Sequence, residues 1–439
     1  MPGKTKESSS HRMRGVRPRA FLPMLLGALI LAATTAQAQT YTVLYYFNSS
    51  QGGNGYDPVA GVTLDRGGNL YGTTSSGGVG IGCHQEGCGV VYKLTHHGSS
   101  WVYAPLYSFH GGSDGALPFS RPVIGPDGTL YGTTFLGGQA CSGGCGVVYN
   151  LRPPAHVSPS LLTSWTETVL YSFFGVNGGQ NPGSGDLIFD AAGNIYGTTT
   201  EGGGGFCTGQ GCGTVYELTH SNGGWSENTL HAFSEVGDGT EPFGGVVFDQ
   251  AGNLDGMTLA GGIHNQGTIY QLTPSGSGWS EHQLYMFDGG TTGEGLYGTP
   301  VLDQQGNIYG TTCCSGPTGG GTAFQLANSQ NWTLNTLHTF GGQMVQGPQS
   351  GLIMDSAGNL YGTTNQEGAH GYGSVFKLSP LNGGWTYVSL HDFCFGGPPC
   401  TDGSNPAGVL ELDAEGNLYG TATAGGLYGG GVVFEITPQ

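Results

Sequence analysis

Residues 185–233 read GDLIFDAAGNIYGTTTEGGGGFCTGQGCGTVYELTHSNGGWSENTLHAF and contain four strand-like runs. These runs are GDLIFD, GNIYGTT, GTVYELT and WSENTLHAF, and turn-forming sequences separate them. Four strands within one repeated unit are typical of a propeller blade. The stretch therefore predicts an all-β fold made of four-stranded blades.

The phrases of this unit recur along the chain. Six tryptophans each stand five residues before a leucine that begins L-[YH]-x-F: Trp101, Trp165, Trp225, Trp279, Trp332 and Trp385. The phrase G-N-L-Y-G-T-T recurs in step, and its aromatic slot holds Tyr71, Tyr131, Tyr196, Asp255, Tyr309, Tyr361 and Tyr419. Seven copies at intervals of about 52–65 residues predict a seven-bladed β-propeller. We expect these aromatic residues to pack within and between blades, and a platform for sugar rings is the alternative.

The two ends of the chain predict how the ring closes. The last unit lacks a fourth strand, and residues 42–47 have the missing L-Y-x-F form, with Gln39 in the position of the tryptophan. Pairing the N-terminal strand with the last blade would close the ring and leave no free edge between the ends. An open solenoid is the alternative.

A D-x-x-G-N phrase joins the first two runs of most units. Its aspartates are Asp65, Asp190, Asp249, Asp303, Asp355 and Asp413, whereas the second unit reads GPDGTL with Gly125 in the aspartate slot. An aspartate that accepts hydrogen bonds from nearby backbone amides, followed by a glycine at positive φ, predicts a tight turn. Calcium is the alternative, but one carboxylate per turn supplies too few ligands.

The N-terminus has the form of a secretory signal. Six basic residues precede the apolar run FLPMLLGALILAA, and Ala36-Gln37-Ala38 forms an A-x-A cleavage site. We therefore expect residues 1–38 to be a signal peptide and residues 39–439 to be a single propeller domain of repeats of about 57 residues. The alternative is an uncleaved anchor helix. We expect a secreted protein, extracellular or periplasmic, with no membrane span after cleavage, and a monomer.

Charge limits the partners. The formal net charge is −18, and six of the eleven Lys and Arg residues lie in the predicted signal peptide. An acidic surface repels nucleic acid and anionic lipid, so we expect neither as a partner. Solubility is the simple explanation of the charge, and attraction of cations is the alternative.

The ten cysteines fall in local pairs, which in an exported protein predict disulfides. The pairs are Cys83–Cys88, Cys141–Cys145, Cys207–Cys212 and Cys394–Cys400, with the adjacent Cys313 and Cys314 left open. Zinc is the alternative, but no second pair or histidine set accompanies any of these spacings. Rings this short should shape loops more than they stabilise the fold.

The complete unit resembles the choice-of-anchor tandem repeat family known as GloVer, found in exported bacterial proteins. The resemblance rests on L-[YH]-x-F, then D-G-x-x-P, then D-x-x-G-N-L-Y-G-T-T, then G-[TV]-V-[FY]-x-L-T, and it covers residues 40–439. It implies a β-propeller and brings no activity, ligand or catalytic residue with it. The family often carries a surface-anchoring tail, which we do not recognise in this sequence.

The candidate binding residues lie in two sets of long loops. In a four-stranded blade, the loop between strands two and three shares a face with the loop to the next blade, and long loops on a rigid scaffold often bind ligands. Asp114, Asp238 and Asp402 share one position on this predicted face, with Asn54 in the first copy. Calcium or sugar hydroxyls are candidate ligands, and turn formation is the alternative. The loop histidines His84, His264 and His370 are further candidates, and a metal site would require them to converge.

No catalytic set is recognisable in the sequence. Glu86, Glu201, Glu241 and Glu367 are loop acids without a matched partner. The first hypothesis is therefore a non-catalytic exported module that binds an extracellular glycan, peptide or protein through the long-loop face, without a cofactor unless calcium takes part. A carbohydrate-active hydrolase or lyase and a structural envelope protein are the alternatives.

Overall fold

The structure is a computed structural model. It describes residues 39–437, apart from residues 51, 81, 84–85, 99, 140, 142, 155–164, 176–177, 206, 208, 222, 235–236, 277 and 342–345. The predicted signal peptide, residues 1–38, lies outside the described residues and stays a prediction.

Seven four-stranded antiparallel sheets form a ring, which confirms the seven-bladed propeller. Strands are numbered along the chain, and each blade is given from its inner to its outer strand. Blade 1 comprises β2 (Val62–Leu64), β3 (Leu70–Thr74), β4 (Val90–His97) and β5 (Ser100–Ser108). Blade 2 comprises β6 (Val123–Ile124), β7 (Leu130–Thr134), β8 (Val147–Arg152) and β9 (Thr166–Ser172). Blade 3 comprises β11 (Ile188–Phe189), β12 (Ile195–Thr199), β14 (Thr214–Ser221) and β15 (Gly224–Ala232).

The remaining blades repeat this order. Blade 4 comprises β17 (Val247–Phe248), β18 (Leu254–Thr258), β20 (Thr268–Ser275) and β21 (Gly278–Met286). Blade 5 comprises β22 (Val301–Leu302), β23 (Ile308–Thr312), β24 (Gly319–Ala327) and β25 (Thr333–Gly341). Blade 6 comprises β26 (Ile353–Met354), β27 (Leu360–Thr364), β28 (Ser374–Leu381) and β29 (Gly384–Asp392). Blade 7 comprises β30 (Glu411–Leu412), β31 (Leu418–Ala422), β32 (Gly429–Thr437) and β1 (Thr40–Asn48).

The N-terminal strand closes the ring, as the sequence predicts. β1 runs antiparallel to β32, with Thr40 opposite Thr437 and Val43 opposite Phe434. A second contact joins the ends, because the Thr421 hydroxyl of blade 7 donates to the Ala60 carbonyl of blade 1 at 2.6 Å. Blade 7 is thus built from both ends of the chain, and unfolding of either end removes a strand from the same sheet.

Each blade has an aromatic ring packed on a glycine. The third strand contributes Tyr92, Tyr149, Tyr216, Tyr270, Phe324, Phe376 and Phe434, all fully buried. Tyr92 lies opposite Gly72 of the YGTT phrase, and a Cβ on Gly72 would sit 2.3 Å from the tyrosine oxygen. The repeated glycine is therefore required for close packing of the second and third strands.

The D-x-x-G-N turns form as predicted. In blade 3, Asp190 Oδ1 accepts the amides of Ala192 and Asn194, both at 2.9 Å, while Oδ2 accepts the Asn194 side-chain amide at 2.8 Å. The Tyr196 hydroxyl reaches the same oxygen at 3.2 Å. Gly193 has a φ of 85°, the left-handed conformation that a glycine adopts without strain. All four donors come from the protein, so this carboxylate has a structural role.

The four predicted cysteine pairs are disulfides, and the adjacent Cys313 and Cys314, which the sequence left open, form a fifth. In blades 1–3 the second cysteine of the pair is buried, and its carbonyl accepts an amide from the next blade, as in Leu117 N to Cys88 O at 2.9 Å. Within the described residues no helix is long and apolar enough to cross a membrane. The disulfides are compatible with an extracellular protein.

Candidate binding site at the channel mouth

The two sets of long loops lie on one face, as predicted, and pair with each other. In blade 3, β10 (Gly179–Gln180) pairs with β13 (Glu201–Gly202), and in blade 4, β16 (Gly239–Thr240) pairs with β19 (Ala260–Gly261). Single bridges such as Ala116 with Leu136 replace these ribbons in other blades. We call this side of the ring the long-loop face, and the side with the D-x-x-G-N turns the short-turn face.

One residue per blade ties the long loops to the ring. This residue precedes the inner strand. In five blades it is a non-glycine residue with a positive φ of 56–62°: Asp57, Leu117, Asn181, Glu241 and Asn405. Its amide donates to the preceding blade, and its carbonyl accepts from the residue after YGTT, as in Glu241 N to Cys212 O and Leu259 N to Glu241 O. These paired hydrogen bonds fix the loops despite the unfavourable backbone conformation.

The central channel is closed. It is lined by residues from all seven blades, and its free volume is about 20 Å³, room for roughly one water molecule. Arg121 Nε donates to Asp186 at 2.7 Å, and its Nη1 donates to Glu411 at 2.5 Å and to the Val62 carbonyl at 3.0 Å. This guanidinium therefore links four blades, and the two channel carboxylates are both engaged. The nearby charges raise the pKa of Arg121 further despite its burial, so it stays a cation.

Aromatic side chains border part of the channel on the long-loop side. Each inner strand runs from the long-loop face to the short-turn face, so the residues that precede it lie at the long-loop end of the channel, which we call the channel mouth. Phe119 and Tyr297 line the central cavity there and are partly exposed. Phe119 packs on Phe135 with ring centroids 5.2 Å apart, and Tyr297 packs on Phe243 at 5.4 Å. The channel mouth therefore carries two pairs of partly exposed rings above a closed centre.

One acidic residue, Glu241, lies within electrostatic reach of Tyr297, and a second, Glu201, lies within electrostatic reach of Glu241. Burial raises the pKa of Glu241, and the charge of Glu201 raises it further. Glu241 also raises the pKa of Tyr297, after the larger effect of burial. Glu201 accepts the amide of Gln180 at 2.6 Å, and the same amide reaches Gln210 at 2.9 Å. The sequence left these two glutamates without a partner, whereas the fold places them within electrostatic reach of each other.

The predicted aspartates are all engaged with protein side chains, and Asp238 also accepts the Gln283 side-chain amide of the next blade at 3.2 Å. Asp114 accepts the Tyr107 hydroxyl and the His110 amide, both at 2.9 Å. Burial favours a higher pKa for Asp114, but hydrogen bonds led by that of His110 outweigh it and lower the pKa. Asp238 and Asp402 likewise contact His231 at 3.2 Å and His391 at 3.0 Å. Each carboxylate thus fastens its loop to the outer strand, and calcium binding by this set stays a prediction.

The remaining predicted residues are spread around the long-loop face. Asn54 is exposed, and its carbonyl accepts the Tyr103 hydroxyl. His264 is exposed, and His370 is exposed with its ring 5.8 Å from that of Phe395. His84 lies outside the described residues. Among the described His, Cys, Asp and Glu side chains, no group of three or more is placed to hold a metal ion.

Outer strands contact one another across the blade boundaries through one repeated pair of positions. The tyrosine or histidine of L-[YH]-x-F faces the residue two places after the tryptophan position in the next blade. His338 stacks on Tyr387 with centroids 4.1 Å apart, and His391 stacks on Tyr41 at 3.7 Å. At the first boundary the facing residue is Glu167, whose pKa burial and the charge of Asp114 raise to about 7. His338 and His391 therefore pack between neighbouring outer strands.

Sequence reasoning missed the ionic closure of the channel. Aligning the repeats on the YGTT phrase places Gly61, Arg121 and Asp186 in one slot just before the inner strand. The other repeats have small or apolar residues at this position, so the two opposite charges were the sequence signal for an ion pair. The ring of blades brings those two positions together, which no single repeat can show.

A closed seven-bladed propeller, with its candidate site at the channel mouth, is the class of protein that this geometry defines. More narrowly, the chain belongs to the Gloeobacter/Verrucomicrobia repeat family, whose model matches residues 30–205, 82–298, 190–398 and 280–439. This membership confirms the repeat resemblance. A search of curated proteins finds no match.

Solved structures share the fold. An ulvan lyase of polysaccharide lyase family PL25 is 12% identical, with a TM-score of 0.51 over 90% of this chain and 94% of that chain. The same enzyme is known in a complex with an oligosaccharide. A fungal alcohol oxidase of the AA5 family, in complex with copper, is 13% identical, with a TM-score of 0.53 over 91% of this chain and 76% of that chain. At such identities the likeness extends to the fold alone.

Proposed function

We propose that this protein is an exported, non-catalytic binding module that holds a neutral glycan at the channel mouth. The observation that supports it is the set of partly exposed rings, Phe119, Phe135, Phe243 and Tyr297, above a closed channel. Aromatic faces pack against the apolar faces of sugar rings. Because the channel is closed, a ligand would rest on the mouth and would not thread the ring.

Polar groups around these rings suit hydroxyl ligands. Glu241 supplies an acceptor near Tyr297, and the Gln349 amide lies at the same mouth, where it lines the central cavity. The surface offers little to an anionic sugar, because the chain has a net charge of −18 and Arg121 is already bound by two carboxylates. The proposal therefore names neutral glycans and disfavours sulfated or uronic acid polymers.

A screen of the purified protein on a glycan array, with and without calcium, tests this proposal. Saturable binding to neutral glycans that weakens at least tenfold in Tyr297→Ala would support it, since a contact worth about 1.4 kcal/mol changes affinity tenfold. Dependence on calcium would assign a role to Asp114, Asp238 and Asp402. Binding confined to acidic glycans, or to none, would overturn it, and a protein partner would then be sought.

A second candidate function is glycan cleavage at the same place. Its support is the pair Glu201 and Glu241, because a carboxyl of raised pKa beside a second carboxylate is the arrangement of a general acid with a base or nucleophile. Incubation of array hits with the protein, followed by assay of released reducing ends, separates the two candidates. Product formed by the natural protein and lost in Glu241→Gln would favour the enzyme, and binding without product would favour the module.

A further inference from the structure

A tyrosine and a tryptophan share one hydrophobic cluster at five of the seven blade boundaries, on the short-turn side. The tyrosine belongs to the YGTT phrase of one blade, and the tryptophan begins the outer strand of the next blade. Ring centroids are 6.3 Å apart for Tyr71 with Trp165 and 6.1 Å for Tyr309 with Trp385. The indole therefore covers the tyrosine, and the five tyrosines that have such a tryptophan beside them are only 5–7% exposed.

The boundary between blades 6 and 7 lacks its tryptophan. Blade 7 takes its outer strand from the N-terminus, and Gln39 stands where the other outer strands place tryptophan. Tyr361 of blade 6 is consequently only partly buried, unlike its five counterparts. The Gln39 amide donates to the Leu390 carbonyl at 2.9 Å, so it is engaged with the neighbouring outer strand and does not replace an indole.

An open groove of about 280 Å³ occupies this boundary. The groove is lined by Gln39, Tyr361, Lys377, Leu390, Leu418 and Ile436. Leu418 and Ile436 form a buried apolar floor, with exposures of 3% and 1%. Lys377 Nζ lies 5.4 Å from the Tyr361 ring centroid, so a cation borders the place where a second ring would lie.

We propose that this groove binds one indole-type aromatic ring from a small molecule outside the chain. The identity of the occupant follows from the repeat, since the equivalent space at five other boundaries of the same molecule is filled by the chain's own tryptophan. The volume approaches the lower end of small-ligand pockets. The site is on the short-turn side and does not depend on the proposed glycan site.

Ligand-detected NMR titration with N-acetyl-tryptophanamide tests this proposal, with N-acetyl-leucinamide as the non-aromatic probe. The expected result is saturable binding of the tryptophan probe alone. In Gln39→Trp the chain supplies its own indole, so binding should weaken at least tenfold and the melting temperature should rise. Thr166→Trp is the matched control, because it adds the same ring at an exposed position of β9 and should leave binding unchanged.

A second variant, which removes a tryptophan where Gln39→Trp adds one, means that the test does not depend on Gln39→Trp alone. Trp165→Gln should open the same groove over Tyr71 and add a second binding site for the probe. Far-ultraviolet circular dichroism checks that each variant keeps its fold, and if Trp165→Gln does not fold the Gln39→Trp comparison still decides. Absence of saturable binding to the natural protein, equal binding of the leucine probe, or undiminished binding by Gln39→Trp would each overturn the proposal.

Discussion

Tyr92, Tyr149, Tyr216 and Tyr270 place hydroxyl groups in the core of blades 1–4, and none of the described residues offers them a hydrogen-bond partner. Blades 5–7 carry phenylalanine at the same position. A buried hydroxyl without a partner costs about 1–3 kcal/mol. Tyr92→Phe should therefore leave stability unchanged or raise it by about 1 kcal/mol, and Phe376→Tyr should lower it by about 1–3 kcal/mol.

Thermal or urea unfolding of these two variants measures the effect. Tyr149→Phe serves as an independent repeat of the first change in another blade. A loss of more than about 1 kcal/mol in Tyr92→Phe would contradict this account, because it would mean that the hydroxyl has a bound partner such as a buried water.

The raised pKa values of two partly buried glutamates should make the stability of the protein depend on pH. Burial, with smaller effects from neighbouring groups, raises the pKa of Glu167 and of Glu367 to about 7. Since the folded state holds these protons more tightly than the unfolded chain, stability should fall as pH rises from about 4.5 to about 7. Partial exposure to solvent limits each contribution to about 1 kcal/mol or less.

Melting temperatures at pH 5 and pH 8 test this expectation. The protein should be more stable at pH 5, and the double variant Glu167→Gln with Glu367→Gln should reduce the difference. Repeating the comparison at high salt removes the contribution of general charge repulsion, since salt screens exposed charges. If the double variant shows the same difference in melting temperature between pH 5 and pH 8, other titratable groups would be its cause.

At the scale of the element, the hairpin between β26 and β27 depends on one aspartate. Asp355 Oδ1 accepts the amides of Ala357 and Asn359, both at 2.9 Å, and Oδ2 accepts the Asn359 side chain at 2.7 Å. Asp355→Ala should lower the free energy of unfolding by about 1–2 kcal/mol, as the loss of a capping acceptor does.

Asp355→Asn is the matched control, because its amide oxygen still accepts the two backbone amides. Its nitrogen cannot accept the Asn359 side-chain amide or the Tyr361 hydroxyl as Oδ2 does, so it should lose part of the stability, but less than the alanine variant, in the same chemical denaturation assay. If the alanine and asparagine variants lose equal amounts, the two backbone amides that Oδ1 accepts would not be the stabilising contacts of the turn.

Elements were predictable from the sequence because each repeat carries its own local signals. The D-x-x-G-N turns, the four runs per unit and the disulfide pairs involve residues close together in the chain, so local spacing is sufficient. The hydrogen bond between Arg121 and Glu411, and the electrostatic effect of Glu201 on Glu241, join residues of different repeats. Interactions between repeats depend on the order and curvature of the blades. The sequence therefore predicted the face that carries the candidate site, but not the side chains that form it.

At the scale of the whole molecule, Arg121 holds the centre of the ring together. Its partners Asp186 and Glu411 are 20% and 25% exposed, so an uncompensated charge there would be poorly solvated. Arg121→Met should destabilise the protein by about 3–5 kcal/mol, as the loss of one member of a buried ion pair does.

The triple variant Arg121→Met, Asp186→Leu and Glu411→Leu provides the comparison. Because it removes all three charges together, it should recover most of the stability lost in the single variant. Calorimetric unfolding measures both proteins. A triple variant no more stable than Arg121→Met would show that shape, and not charge, limits packing in the channel.

Binding at the channel mouth is the claim on which the functional account rests, and isothermal titration of the best array glycan tests it most directly. The account predicts one saturable site per chain, at least tenfold weaker in Phe119→Ala and in Tyr297→Ala, and unchanged in Phe395→Ala, whose ring is 82% exposed on the same face. Equal affinity in all four proteins, or loss of binding only in Phe395→Ala, would contradict a site at the channel mouth.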